Sequence, residues 1–296
     1  VAVVGAGRLG TALARALAAC GYEIETLVAR VASRARRAAR LAGVETRAVA
    51  LARLEELPRA DVLFITTPDD AVAEVAGRLA ALGDKRSRGR VALHTSGALA
   101  SDVLAPLGAR GYKVGSMHPL AAVSEAEAGA ESLRRAFYCI EGEARAASVA
   151  RRLVRDLGGE SFSVSTKEKA LYHASAVLTA GHTVALFDVA VRLLARCGPT
   201  QREARRVLLP LLRSTLDNLE RATPERALTG TFARADAATV RKHIAALREA
   251  GEPDALLTYA LLGGRSLRLA ARAGADAHRL VEIARMLAEA LGFDAS

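Results

Sequence analysis

The chain has 296 residues, with 42 Lys and Arg against 32 Asp and Glu, a formal charge of +10. Hydrophobic residues make up 51%, yet aromatics only 4% and Trp is absent, so the interior has to be filled mainly by Ala, Leu and Val. These fractions exclude wholesale disorder, collagen and coiled-coil fibres, and the length allows two domains with a sizeable core.

The first half alternates short apolar runs with helical stretches. Val1-Ala2-Val3-Val4 predicts a strand, Gly5 to Gly10 a Gly-rich turn and Thr11 to Ala19 a helix. Ile24 to Val28 predicts the second strand, Ser33 to Leu41 a basic helix and Val44 to Val49 a third strand. Val62 to Thr66, Val91 to His94 and Val114 to Met117 are apolar at nearly every position, the pattern of strands covered on both faces. Phe137 to Ile140 and Ser161 to Val164 complete the strands. Strands alternating with helices predict an α/β fold with a doubly wound, parallel Rossmann-type sheet.

After Val164 no strand pattern follows. Ser165-Thr166-Lys167-Glu168 fits a capping box, and the helix it opens is expected to run to Cys197, where Gly198-Pro199 stops it. Gln201 to Arg221, Ala237 to Glu249, Asp254 to Ala273 and Ala277 to Leu291 predict further helices, the first carrying a possible kink at Pro210. The expected domains are therefore 1–165, dinucleotide-binding, and 166–296, all-α. Ala174 to Val191 is long enough to span a membrane but holds His182 and Asp188, and a central Asp costs roughly 2.5–3.5 kcal/mol on insertion. A buried central helix of a protein without a membrane partner is expected instead. Cys20, Cys139 and Cys197 stand in no metal or redox spacing and read as reduced core residues of a cytoplasmic protein. No metal site is expected. The chain opens inside a strand and without Met, so a few residues are expected to precede Val1.

Gly5-Ala6-Gly7-Arg8-Leu9-Gly10 matches G-x-G-x-x-G and directly joins a strand to a helix, the context that gives the pattern meaning. The first Gly permits the tight turn, the second lets a pyrophosphate approach the backbone, and the third lets helix and strand pack closely. The second strand ends at Arg30, where an NAD enzyme usually places an acid for the ribose hydroxyls. From Thr26 to Val44 there is no acidic residue; Arg30, Ser33 and Arg34 are there instead, a set suited to a 2′-phosphate, so NADP(H) is expected. Thr67 and Pro68, at the end of the fourth strand, are expected to line the same cofactor, with Asp69 or Asp70 free to cap the next helix.

Two further strand ends are polar, His94-Thr95-Ser96-Gly97 and Ser116-Met117-His118-Pro119. Only five of the basic residues are Lys (Lys85, Lys113, Lys167, Lys169, Lys242), the other 37 being Arg. In such a chain a Lys signals a need for a titratable amine, which Arg cannot supply. Lys169 and His173 are four apart, hence on one helix face about 6 Å apart in rise, with Tyr172 beside them. Reducing a ketone or imine by hydride transfer leaves an atom needing a proton. Lys169 or His118 is the candidate acid; His173 and Ser96 are the candidates for orienting substrate.

These segments, with Lys169-Ala170-Leu171-Tyr172-His173, make the chain similar over its whole length to a bacterial family of predicted NADP oxidoreductases. Its members have a Rossmann-like N-terminal domain and a helical C-terminal domain of unknown function. More distantly the chain resembles phosphogluconate dehydrogenase, hydroxyisobutyrate dehydrogenase, pyrroline carboxylate reductase and ketopantoate reductase. Several of those carry a catalytic Lys followed four residues later by Asn; here Lys169 matches the Lys and His173 takes the place of Asn. Ser116-Met117-His118 stands where the hydroxyacid dehydrogenases have a Ser-Gly-Gly loop. Leu228-Thr229-Gly230 resembles a turn near the cleft of the family, with Thr231 in place of its usual Pro. The resemblance implies an NADPH-dependent reductase of a small keto acid or imino acid, ketopantoate being the first to try, working in an interdomain cleft and pairing as a homodimer through the helical domain. The alternatives are a deazaflavin-linked NADP reductase and a non-catalytic dinucleotide-binding sensor or partner subunit. The +10 charge reads as Arg scattered over helix faces, so no nucleic-acid partner is expected.

Overall fold

The structure, a computed structural model, describes residues 1–82 and 89–292. The chain divides into two compact units, Val1–Ala180 and Gly181–Ser296.

The first unit is built on one eight-stranded sheet in the order β3-β2-β1-β4-β5-β6-β7-β8. The strands are β1 Ala2–Val4, β2 Thr26–Ala29, β3 Arg47–Ala50, β4 Val62–Ile65, β5 Val91–His94, β6 Lys113–Pro119, β7 Phe137–Gly142 and β8 Glu160–Ser163. Between them run α1 Arg8–Ala19, α2 Ala32–Ala42, α3 Asp69–Ala81, α4 Ala105–Gly108, α5 Ala126–Leu133 and α6 Ala144–Asp156. All eight expected strands are present, within a few residues of their expected ends. All pairings are parallel except β6 with β7, which are antiparallel. The sheet is thus mostly parallel rather than wholly so.

The central strands are buried along their full length: β1, β2, β4 and β5 expose none of their residues. That explains their unbroken apolar runs. One face packs Val3, Leu27, Phe64, Leu93, Met117 and Ile140 under α1, α5 and α6. The other packs Ala2, Val4, Val28, Ile65 and Ala92 against Val72, Val75 and Ala76 of α3. Small residues let the helices sit close. In α2 only Ala35, Ala38, Ala39 and Ala42 are buried, its arginines face solvent, and Gly43 ends it in left-handed conformation at φ 67°. Strand order reverses at β1, with β2 and β3 on one side and β4 to β6 on the other. In open α/β sheets the crevice at the carboxyl end of this switch point is where ligands bind.

The first unit runs past the expected boundary at 165, because the segment after β8 stays attached to the sheet edge. Ser165 and Glu168 form the expected capping box, and α7 follows over Lys169–Thr179. The single long helix expected to Cys197 is in fact two. α7 ends at Thr179, and α8 starts at Gly181. The Ser175 and Thr179 hydroxyls donate back to the carbonyls of Tyr172 and Ser175, which bends a helix, and Gly181 costs about 1 kcal/mol of helix propensity against Ala.

The second unit is all helical: α8 Gly181–Ala195, α9 Gln201–Arg221, α10 Pro224–Ala227, α11 Gly230–Ala233, α12 Ala237–Glu249, α13 Pro253–Arg272 and α14 Ala277–Ala290. Thr200 with Glu203 forms a capping box on α9, which passes through Pro210 without ending, and Asp236 and Asp276 cap α12 and α14. Val240, Ile244, Ala260, Leu267, Ile283 and Leu287 form the core of α12 to α14.

Two expectations about burial are corrected. The stretch 166–195 has the length and hydropathy of a membrane span, but only 6% of its apolar window is buried, so it is not a buried core helix. α7 buries Lys169 and leaves Leu171 and Leu178 exposed, the reverse of a core helix. The cysteines are all free, but Cys139 alone is buried; Cys20 is half-buried and Cys197 exposed.

Candidate functional site

At the switch point, Gly5 takes φ 113° and its N–H, like that of Ala6, donates to the Val28 carbonyl at 2.9 and 2.8 Å. A Cβ on Gly5 would lie 2.6 Å from the Thr66 carbonyl carbon, and one on Gly10 would collide with the Gly5 oxygen and Thr66 Oγ1. These two glycines seat α1 against β1 and β4. Gly7 is different: a Cβ there meets nothing nearer than 3.9 Å. The first and third glycines are thus fixed by packing, and the second leaves the backbone open on the ligand side. Beside it is a cleft of about 450 Å³ whose walls include Gly5, Ala6, Gly7, Arg30, Arg34, Thr66, Thr67 and Pro68. Thr67 Oγ1 is buried and has no hydrogen-bond partner among the described residues. The glycine cradle, the two guanidinium groups and this free hydroxyl fit a phosphate-bearing dinucleotide. Ser33 is exposed on the first turn of α2, outside the cleft lining, and Arg8 turns to the Ser124 carbonyl at 3.3 Å. Leu9 packs into the core instead.

The second cluster arises from strand register. His94 pairs with Ser116, Ser116 with Glu141, and His118 with Cys139. Residues two apart on a strand share a face, so all five lie on one face at the carboxyl end of β5 and β6. Deeper on that face the sheet is apolar, with Ala92 and Val114. Lys169 enters this polar rim. It is 1% exposed, and its Nζ donates to Ser116 Oγ at 2.8 Å and to the Ser96 carbonyl at 3.3 Å. No carboxylate lies within ion-pair distance of it among the described residues. Burial pushes the Lys169 pKa below the ordinary lysine value, against the opposing pull of Cys139, Glu141 and Asp69. Two hydrogen bonds to a charged donor contribute about 1.5–3 kcal/mol each, against several kcal/mol for desolvating the ammonium. The arrangement is therefore a poor stabiliser of the fold.

Glu141 is buried beside it and saturated, accepting from the Ser101 N–H at 2.8 Å, Ser101 Oγ at 2.7 Å and Thr166 Oγ1 at 3.0 Å. It ties the start of the Lys169 segment to the 94–101 loop. His94 is wholly buried, with Nδ1 accepting from the Ser96 N–H at 3.2 Å and Nε2 facing the Ala100 carbonyl at 3.2 Å. Ser96 Oγ donates to Asp69 at 2.8 Å and accepts from the N–H groups of Ala98 and Leu99 at 3.2 and 3.0 Å. That bond joins the two clusters, since Asp69 follows the Pro68 that lines the cleft.

The half-buried groups are His118, Tyr172 and His173. Tyr172 Oη lies 2.6 Å from His118 Nδ1. The His118 and His173 rings meet edge to face, centroids 5.5 Å apart. Gly97 lies against both: a Cβ there would collide with His173 Nδ1 and sit 2.9 Å from His118 Nε2. His173 Nδ1 is itself buried and unpartnered among the described residues. Burial, then the Lys169 charge, lowers the His118 pKa to about 3, and the same causes lower that of His94 to about 4. Both rings are neutral at physiological pH, so His118 is not an ionised acid there.

Residues 1–119 match the model of the Rossmann-like domain, and residues 136–266 match the domain of unknown function DUF2520. The chain thus carries a Rossmann-like domain followed by a domain of unknown function. Several solved structures share this fold. A Bacteroides fragilis protein described as a candidate NADP oxidoreductase aligns at TM-score 0.71 and 23% identity, covering 90% of this chain and 96% of that one. A Thermotoga maritima protein aligns at 0.63 and 22%, covering 98% and 99%. Plasmodium falciparum pyrroline carboxylate reductase, solved with NADP bound, aligns at 0.56 and 9%, covering 91% and 97%. No curated protein sequence matches the chain.

The structure brings Lys169, His173 and His118 together, as the strand-end pattern implies. It shows Ser96 committed to its turn and Asp69 to Ser96, not to helix capping. Sequence reading missed the parts played by Ser116, Glu141, Gly97 and Tyr172. The register of β6 against β7, fixed by the Gly115–Gly142 pair, would have placed the first two.

The neutral histidines have a consequence for stability. In the unfolded chain His titrates near 6.5, while His94 and His118 fold with values of about 4 and about 3. As pH falls below 6.5 the unfolded state takes up protons that the folded state refuses, so stability falls. Each ring contributes up to about 1.4 kcal/mol per pH unit. Urea melts should show unfolding free energy declining between pH 6 and pH 5, with a shallower decline in His118→Gln. Equal slopes in the two proteins would refute the assignment.

Proposed function

We propose that this protein is an NADPH-preferring oxidoreductase that reduces a small 2-keto acid. The observation that carries the reading is the Asp69–Ser96 hydrogen bond, which couples a dinucleotide-shaped cleft to a rim holding one buried ammonium and two neutral imidazoles. NADPH, when bound, supplies the hydride. Gly5, Gly7, Thr67 and Pro68 would hold the cofactor, and Arg30 and Arg34 would bind its 2′-phosphate. Neighbours solved with NADP and with NAD+ support a nicotinamide dinucleotide, and Arg30 with Arg34 carries the preference for NADPH.

His118 and His173 are the groups open to substrate. Lys169, sealed beneath them, places a positive charge where the carbonyl oxygen gains electron density, the kind of preorganised stabilisation that dominates many active sites. Lys169 acts through the histidines rather than by touching substrate, while Ser96 holds the turn that shapes Gly97. A buried cation without a facing carboxylate favours a carbonyl substrate over an iminium, which carries its own positive charge. The exposed apolar residues Val184 (71%), Leu211 (63%) and Leu261 (68%), on α8, α9 and α13, support a soluble homodimer formed through the helical unit.

NADPH oxidation should be seen with 2-keto acids, ketopantoate tried first, and be weaker with cyclic imines. Lys169→Met, which keeps the buried stem, should lower keto-acid turnover at least about tenfold while leaving NADPH affinity intact. Unchanged turnover in Lys169→Met removes its role. Arg30→Ala should raise the Kd for NADPH far more than that for NADH; equal losses would sink the 2′-phosphate assignment. Light scattering at micromolar concentration should give a dimer, and a monomer would refute the interface.

A further inference from the structure

The Tyr172 hydroxyl is aimed at a neutral imidazole, and that bond has a direction. His118 and Cys139 are register partners on β6 and β7, so both side chains lie on the rim face, and Tyr172 descends from α7 onto the pair. Its ring is held edge to face against His118 on one side and Phe162 on the other, centroids 5.7 Å apart in each case. The hydroxyl lies 2.6 Å from His118 Nδ1.

A neutral imidazole carries one N–H, so at 2.6 Å either Nδ1 donates to the phenol or the phenol donates to Nδ1. In the first case the phenolic proton loses its one strong acceptor. In the second, the phenol donates to the imidazole lone pair, a strong acceptor. Burial holds the Tyr172 proton in place, which suits it to the donor role.

We propose that Tyr172 is a positioning residue that locks His118 in the Nε2–H tautomer, so that the ring meets substrate as a hydrogen-bond donor. This rests on reading the rim as the reacting end. Nε2 lies on the Gly97 side, the side shared with the unpartnered His173 Nδ1. A donor there, with the Lys169 charge behind it, selects an oxygen that accepts, as in a ketone, and disfavours a protonated imine.

The test is ring-nitrogen NMR on the full-length protein at neutral pH, without substrate, using two-bond proton–nitrogen correlations. Loss of one spin system in His118→Gln assigns the ring. In the wild type, Nε2 should appear as the protonated, pyrrole-type nitrogen and Nδ1 as the pyridine-type one. In Tyr172→Phe, which removes one oxygen, the two should move toward an averaged, mixed tautomer. A protonated Nδ1 or an imidazolium in the wild type overturns the proposal, as does an unchanged Nε2–H form in Tyr172→Phe. Because the measurement needs no turnover, it can fail while the reductase reading stands, and hold if that reading falls.

Discussion

A buried lysine without a carboxylate partner among the described residues organises one end of this sheet. Among the described residues Lys169 is covered, its Nζ donates to a serine hydroxyl and a main-chain carbonyl, and it lies 5.7 Å from the centre of the Tyr172 ring. Desolvation of such a group costs several kcal/mol, which two neutral acceptors roughly offset at best. The surrounding structure follows from accommodating that charge. The strand ends that meet it are polar, Glu141 is buried nearby and held by other donors, and His94 and His118 are forced neutral. A Leu at 169 would suit the fold better, so the charge is best explained by what it does to a ligand.

The sheet supplies the rest by geometry. Parallel strands all end on one edge, so a glycine turn after β1, a threonine turn after β4 and polar residues after β5 and β6 need no further device to lie near one another. Between the cleft and the rim runs one side-chain bond, from Ser96 to Asp69. The loop that bond shapes contains Gly97, whose lack of a side chain leaves room for two imidazoles. Small changes at Ser96 or Asp69 therefore act on both the cofactor turn and the histidine pair.

Much of this was legible in the sequence, for identifiable reasons. The strands were readable because full burial leaves no polar alternation. The glycine motif was readable because its context is local, and Lys169 stood out because the chain otherwise uses Arg. What could not be read depends on partners distant in sequence. Ser96 looks like a free hydroxyl until Asp69 is seen beside it, and His118 looks like a candidate acid until burial and the Lys169 charge are counted. The break at Ala180 depends on hydroxyl back-bonding that competes with strong local helix propensity. The exposure of Leu171, Val184 and Leu211 could not be read either, because an apolar run looks the same whether it is covered or exposed.

The central claim is that Lys169 is buried and has no carboxylate partner among the described residues. The most direct measurement is an NMR titration of its terminal carbon and nitrogen, assigned with Lys169→Met. The account predicts a pKa distinctly below the ordinary lysine value near 10.5. A value at or above that, as in a solvated or carboxylate-paired lysine, would contradict it.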